Sequence, residues 1–272
     1  MSFKNINQII CVGASITDSP WWTWKDYLQI ESKLKVINLA VKGCGNEFMI
    51  NNLILNKNKL NDKTLVVVMF TNIDKFDWFV EKDKFIELQD EKHKPINFSN
   101  QNGFWCTGSW FPKDKKIFKD TFYSEDYFVV KTIQQILILE QLKKIYNFEL
   151  ILTFDSPIWT YTEQEINHIV TDIKKYNKNE NLLLKSCLSK IWKNLLDKKY
   201  IKISNKSLIG YCIKNQIPWQ NETHGAHPSP ISHYKWYKDI LLPEAKKYIS
   251  IDETLCYEDK LQSMEKIWQK KY

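Results

Sequence analysis

Residues 8–18 read Gln8-Ile9-Ile10-Cys11-Val12-Gly13-Ala14-Ser15-Ile16-Thr17-Asp18, an apolar run of strand length followed at once by a glycine and a serine. Gln8 to Val12 predicts a buried strand. Gly13 to Asp18 predicts the turn that leads into a helix beginning near Trp21. Ser15 is then expected at the carboxyl edge of a sheet, near helix N-terminal amides that favour developing negative charge. The spacing is not the G-x-S-x-G elbow, because Thr17 stands at the second glycine. Two readings of the segment stay open: Ser15 as a nucleophile, or Ser15 and Asp18 as helix caps.

Further along, strands and helices alternate. Val36 to Ala40 is a second short apolar strand that runs into the glycine turn Val41-Lys42-Gly43-Cys44-Gly45-Asn46. A helix is expected over Pro20 to Lys33 and another over Asn46 to Leu55. Thr64 to Phe70 is the third strand, ending at Thr71-Asn72-Ile73-Asp74. Val129 to Tyr146 predicts a helix, with Ile133, Ile136, Leu137, Glu140 and Ile145 making most of its surface apolar for packing on a sheet. Phe148 to Phe154 is a fourth strand, with Asp155 just past its carboxyl end. A helix at Leu182 to Leu196 leads to a short strand near Tyr200 to Ile203. His233 to Tyr248, with a kink expected at Pro243, and Ile251 to Lys271 close the chain as helices. Repeated strand-helix units predict an α/β fold built on a doubly wound parallel sheet. Ligands bind such sheets at the carboxyl edge, where Ser15, Gly43 and Asn72 all fall, while His224-Gly225-Ala226-His227-Pro228-Ser229 precedes an amphipathic helix far downstream.

These four segments resemble the SGNH (GDSL-like) hydrolase superfamily. Gly13-Ala14-Ser15-Ile16-Thr17 is similar to its G-D-S-x-T block, Asn38 to Gly43 to its glycine block, Phe70-Thr71-Asn72 to its G-x-N block, and His227-Pro228 to its D-x-x-H block. Ala14, Phe70 and His224 stand where the family has aspartate, glycine and aspartate. The resemblance implies a flavodoxin-like strand order in three α/β/α layers, with the hydrolase domain over residues 1–250 and residues 251–272 forming a C-terminal helix packed on it. It further implies Ser15 as nucleophile, His227 as base, and an oxyanion hole built from the Ser15 and Gly43 amides and the Asn72 side chain. With His224 in the acid's place, the group that orients His227 is either Glu222, the nearest carboxylate in sequence, or His224 itself, or there is no third member.

The 272 residues suffice for one substantial core. No signal-peptide core and no run of 18 or more apolar residues is seen, so a soluble, cytoplasmic protein is expected. The six cysteines are scattered without a C-x-x-C pair, which argues for reduced thiols and against a metal site. Cys44 lies at a helix start, where a thiol pKa is sometimes lowered, but a packing role is favoured. The formal charge of +7 is carried by lysine alone, since the chain contains no arginine. Without arginine's planar fork, and with lysines interleaved with Asp and Glu, neither nucleic acid nor membrane is an expected partner. No cofactor is expected, and the sequence carries no signal of oligomeric state.

Residues 74–126 interrupt the alternation with an aromatic-rich insertion after the third strand that includes Trp78, Trp105 and Trp110. A loop of that length is usually functional, so it is expected either to overhang the site as a lid or wall, or to form a satellite core. Trp21, Trp105 and Trp110 are candidate substrate contacts able to stack on sugar rings, and His233 is expected to be a structural hydrogen-bonding residue. Two function classes follow: a serine esterase or acetylesterase acting on a carbohydrate ester or other small acylated substrate, or a non-catalytic SGNH-like module that binds a ligand or a protein through the insertion.

Overall fold

The computed structural model describes residues 5–71, 75, 77–81, 96–97, 103–107, 125–155, 207–219, 227–255 and 257–269. Four strands, β1 (Gln8–Val12), β2 (Lys35–Asn38), β3 (Thr64–Phe70) and, late in the chain, β7 (Glu149–Phe154), form one parallel sheet in the order β2-β1-β3-β7. Ile10 pairs with Ile37 on one side and Val66 on the other, and Val67 pairs with Ile151. Every residue of β3 is buried, as a parallel strand covered on both faces requires.

Alternate residues supply two cores. Ile10, Val12, Val66, Val68, Phe70, Leu150 and Leu152 face one layer, made by α2 (Asn46–Leu55) and α3 (Glu125–Tyr146). Ile9, Cys11, Leu65, Val67, Met69 and Ile151 face the other, which contains α1 (Trp24–Ser32), α4 (Leu208–Lys214), α5 (Pro230–Trp236) and the short α6 (Leu242–Ala245). The result is the three-layer, doubly wound arrangement expected, with the flavodoxin-like order over the four strands described. The helix expected at Leu182 to Leu196 and the strand at Tyr200 to Ile203 lie outside the described residues.

Local chemistry moves several boundaries. α1 begins at Trp24 rather than near Trp21, because Asp26 accepts from the Thr23 amide at 2.8 Å while the Thr23 hydroxyl donates to the Thr17 carbonyl at 2.9 Å. α5 starts at Pro230, three residues before His233, where the Ser229 hydroxyl accepts from Ser232 N at 3.3 Å and proline at the first helical turn suits the missing donor. Tyr237–Leu241 then forms a π-helical turn. Pro243 has no N–H for the Asp239 carbonyl, so the expected kink takes the form of this widened turn. The last helix, α7 (Glu258–Gln269), starts seven residues later than Ile251. Asp252 accepts from the Thr254 amide and hydroxyl, a local turn that competes with helix, and the Asp252 amide donates to the Glu31 carbonyl.

The interruption after β3 is not a bare loop. β4 (Asp77–Glu81), β5 (Ile96–Asn97) and β6 (Gly103–Thr107) form an antiparallel sheet in the order β4-β6-β5, with Phe79 opposite Trp105. α3 departs from expectation in its packing. Ile136, Leu139 and Leu142 are buried on the sheet, whereas Leu137, Ile138 and Ile145 face outward, at 43%, 38% and 69% exposure. Only one side of a helix can meet a flat sheet, so the apolar residues between the buried rows are not core. Leu139→Ala is therefore expected to cost about 2–5 kcal/mol in urea unfolding and Leu137→Ala within about 0.5 kcal/mol of none; equal losses would mean that the outward face is covered.

Candidate active site

Ser15 sits in a turn held by Thr17 and Asp18 N–H groups donating to the Ala14 carbonyl at 2.9 and 3.1 Å. It is not at a helix N-terminus, since α1 begins only at Trp24; the helix-amide environment expected for Ser15 is replaced by turn amides. Gly13 is required by space. A Cβ there would lie 2.1 Å from Thr17 Oγ1 and 2.7 Å from Thr17 Cβ, so the chain can fold back on itself only where no side chain intervenes. Ser19 Oγ donates to the Ser15 carbonyl at 2.6 Å, closing the turn from its far side.

The glycine turn is tied to this one. The Gly13 carbonyl accepts from Val41 N at 3.0 Å and from the Cys44 thiol at 3.4 Å, and Asn38 Nδ2 donates to Asp18 Oδ1 at 2.9 Å. Gly43 has φ 79°, a left-handed conformation that suits glycine. Cys44 is fully buried and burial pushes its thiol pKa up, so it is the packing residue favoured from sequence. α2 begins directly after Gly45, and two of the amides at its start are engaged. Asp77 Oδ1 accepts from Gly45 N and Oδ2 from Phe48 N, each at 2.7 Å. Asn46 clamps the end of β3 from both sides: its Nδ2 donates to the Thr71 carbonyl at 3.1 Å and its Oδ1 accepts from Thr71 N at 2.9 Å.

His227 arrives from far along the chain, with Nε2 2.8 Å from Ser15 Oγ. At that distance the ring can accept the hydroxyl proton, given the tautomer with Nε2 unprotonated. Its backbone is anchored by Trp268 of α7, whose indole N–H donates to the His227 carbonyl at 2.9 Å. Glu265, one turn earlier on the same helix, accepts from Ile231 N at 3.4 Å, so α7 holds both the His227 carbonyl and the first turn of α5.

Other expectations fare differently. Trp21 and Trp24 are 3% and 0% exposed and belong to the interior, which withdraws Trp21 as an open stacking surface. His233 was expected to hydrogen-bond; instead it is fully buried, with both ring nitrogens lacking a hydrogen-bond partner among the described residues. Burial, and then the nearby charges of His227 and Lys25, push it down to about 3, so it stays neutral. Asp155 is buried at the end of β7, where its amide donates to Phe70 and its carbonyl accepts from Ile209, each at 2.8 Å. Trp105 is placed as a backbone position in β6, and Asn72, Glu222, His224 and Trp110 lie outside the described residues. Among the described residues no group of three His, Cys, Asp or Glu side chains is disposed to hold a metal, and no helix is long and apolar enough to cross a membrane.

Sequence reasoning missed Asn46, Asp77 and Trp268. Asn46 follows a glycine at a helix start, a position where a side chain bonding to backbone is common, and that signal was available. Asp77 and Trp268 act across 29 or more residues and have no local signature.

No protein-family model and no curated protein matches the chain. Among solved structures the chain is similar to the crystal structure of a member of the lipolytic protein G-D-S-L family from Veillonella parvula DSM 2008. The identity is 12% and the TM-score 0.43, with 86% of this chain and 96% of that one covered.

The buried His233 has a consequence for acid stability. Its proton is taken up at about 6.5 in the unfolded chain but only near 3 in the folded one, so its contribution is intact above about 6.5 and is lost as pH falls toward 3. His233→Leu should therefore lose less melting temperature than the parent between about pH 7 and about pH 4.5. Equal losses would show that His233 takes up no proton on acid unfolding.

Proposed function

We propose that the protein is a serine ester hydrolase. The observation that carries this assignment is the 2.8 Å contact between Ser15 Oγ and His227 Nε2, made at the carboxyl edge of a parallel sheet beside a glycine turn. A serine hydroxyl is a weak nucleophile at its ordinary pKa, and a base in hydrogen-bond reach is what acyl transfer demands.

In the proposed reaction, Ser15 Oγ attacks the ester carbonyl as its proton passes to His227 Nε2. The carbonyl π pair becomes the oxyanion, which the amides of Ser15 and Gly43 and the Asn72 side chain stabilise. Collapse re-forms the carbonyl and expels the alcohol, which takes the proton from His227. Water then repeats the sequence against the acyl-serine, releasing the acid and restoring Ser15. Glu222 or His224 supplies the group on the far imidazole nitrogen, or Ser15 and His227 work as a dyad, with a carboxylate the stronger stabiliser of the imidazolium. The substrate is a carbohydrate ester or another small acylated molecule, with Trp105 and Trp110 of the insertion as its stacking surfaces.

Ser15→Ala and His227→Gln should each reduce kcat/KM on a short-chain aryl ester by at least about 10³-fold while the circular dichroism spectrum is retained. Full activity in Ser15→Ala would remove Ser15 from the chemistry. Glu222→Gln and His224→Asp separate a site oriented by Glu222 from a dyad: loss in the first names Glu222, and a gain in the second names a dyad improved by a new carboxylate.

A further inference from the structure

The N-terminus of α2 adjoins the glycine turn, and its exposed amides would ordinarily be met by solvent or ligand. Here two amides at that start are met by a carboxylate from the insertion, that of Asp77, the first residue of β4. Asp77 takes one amide on each oxygen, Gly45 and Phe48, both at 2.7 Å, and is 7% exposed. The fit leaves no slack: a Cβ at Gly45 would stand 2.7 Å from Asp77 Oδ2 and 2.7 Å from the Lys75 carbonyl. Two residues upstream is Gly43, held at φ 79°, and one residue downstream is Asn46, which fixes both backbone groups of Thr71, the residue before Asn72.

We propose that Asp77 is a positioning residue for the acyl-transfer site, its carboxylate holding in register the turn that presents the Gly43 amide and the helix start that pins the strand leading to Asn72. This rests on the serine hydrolase proposal and extends it, because it makes the insertion a structural part of the oxyanion side of the site. Asp77 touches no reacting atom. It acts through Gly45, Phe48 and, by way of the first turn of α2, Asn46.

Burial drives Asp77 up to about 7, opposed by the Phe48 and Gly45 amides; Glu47 pushes in the same direction as burial and Lys75 against it. Among the described residues the charged and titratable groups around it are Glu47 of α2, Lys75 of the connecting segment and the buried thiol of Cys44. A structural cap alone would affect stability. A positioning residue must also change transition-state stabilisation in molecules that remain folded.

The test compares the full-length parent with Asp77→Asn, which keeps one acceptor oxygen, and Asp77→Ala, which keeps none. Both are assayed on an aryl acetate, with active sites counted by a fluorophosphonate so that unfolded molecules drop out. The expected result is a graded loss of kcat per counted site, about 10-fold for Asn and larger for Ala, with KM within about twofold, since an oxyanion donor acts in the transition state. The acid limb of the kcat profile should also change shape in Asp77→Asn, a readout that a merely structural cap leaves alone. If Asp77→Ala does not fold, Asp77→Asn alone decides. Parent-like kcat per counted site in the folded variants overturns the inference while the serine hydrolase proposal stands. A parent protein that neither turns over the ester nor reacts with the fluorophosphonate overturns both.

Discussion

The Gly13 carbonyl accepts from the Val41 amide and the Cys44 thiol, and most of the candidate site depends on that joint. It binds the turn after β1 to the turn after β2, so that Ser15 and Gly43 share one edge of the sheet. The joint is possible because Gly13 has no Cβ to collide with Thr17, which must fold back to let the chain leave toward α1. Thr23 continues the same path, capping α1 while its hydroxyl holds the Thr17 carbonyl. A side chain at residue 13 would disturb turn, cap and neighbouring strand connection together.

His227 comes from the other end of the chain and is held by different means. α5 starts on a serine cap two residues after His227, and α7 returns to grip the His227 carbonyl through Trp268. Parallel sheets leave the ends of their strands in one place, but an arriving loop still has to be fixed there, and helices packed outside the sheet do it. His233, buried and neutral six residues on, adds no positive charge beside His227 at neutral pH.

How much of this was legible in the sequence differs by element. β3 and α2 have the bounds their pattern predicts, because a seven-residue buried run and a helix opening after Gly45 are decided locally. The pairing of Ser15 with His227 was visible only through four short blocks in order, since nothing local marks contact across 212 residues. α1 starts later than its apolar pattern predicts although the Thr23 and Asp26 pair is a local signal, and α7 starts later than Ile251 because the Asp252 turn competes with helix. α3 illustrates a different limit. Periodicity identifies its apolar residues without revealing that Leu137, Ile138 and Ile145 turn outward. Nothing local in the insertion marks Asp77, whose contact is made to a helix N-terminus 29 residues away.

The most direct test of the central claim is a crystal structure of the protein after reaction with a fluorophosphonate. The phosphorus should be bonded to Ser15 Oγ, with the phosphoryl oxygen within hydrogen-bond distance of the Gly43 amide and His227 Nε2 beside the new ester oxygen. An adduct on another residue, or one on Ser15 whose phosphoryl oxygen points away from the glycine turn, would contradict the joint of serine, glycine turn and histidine as an acyl-transfer site.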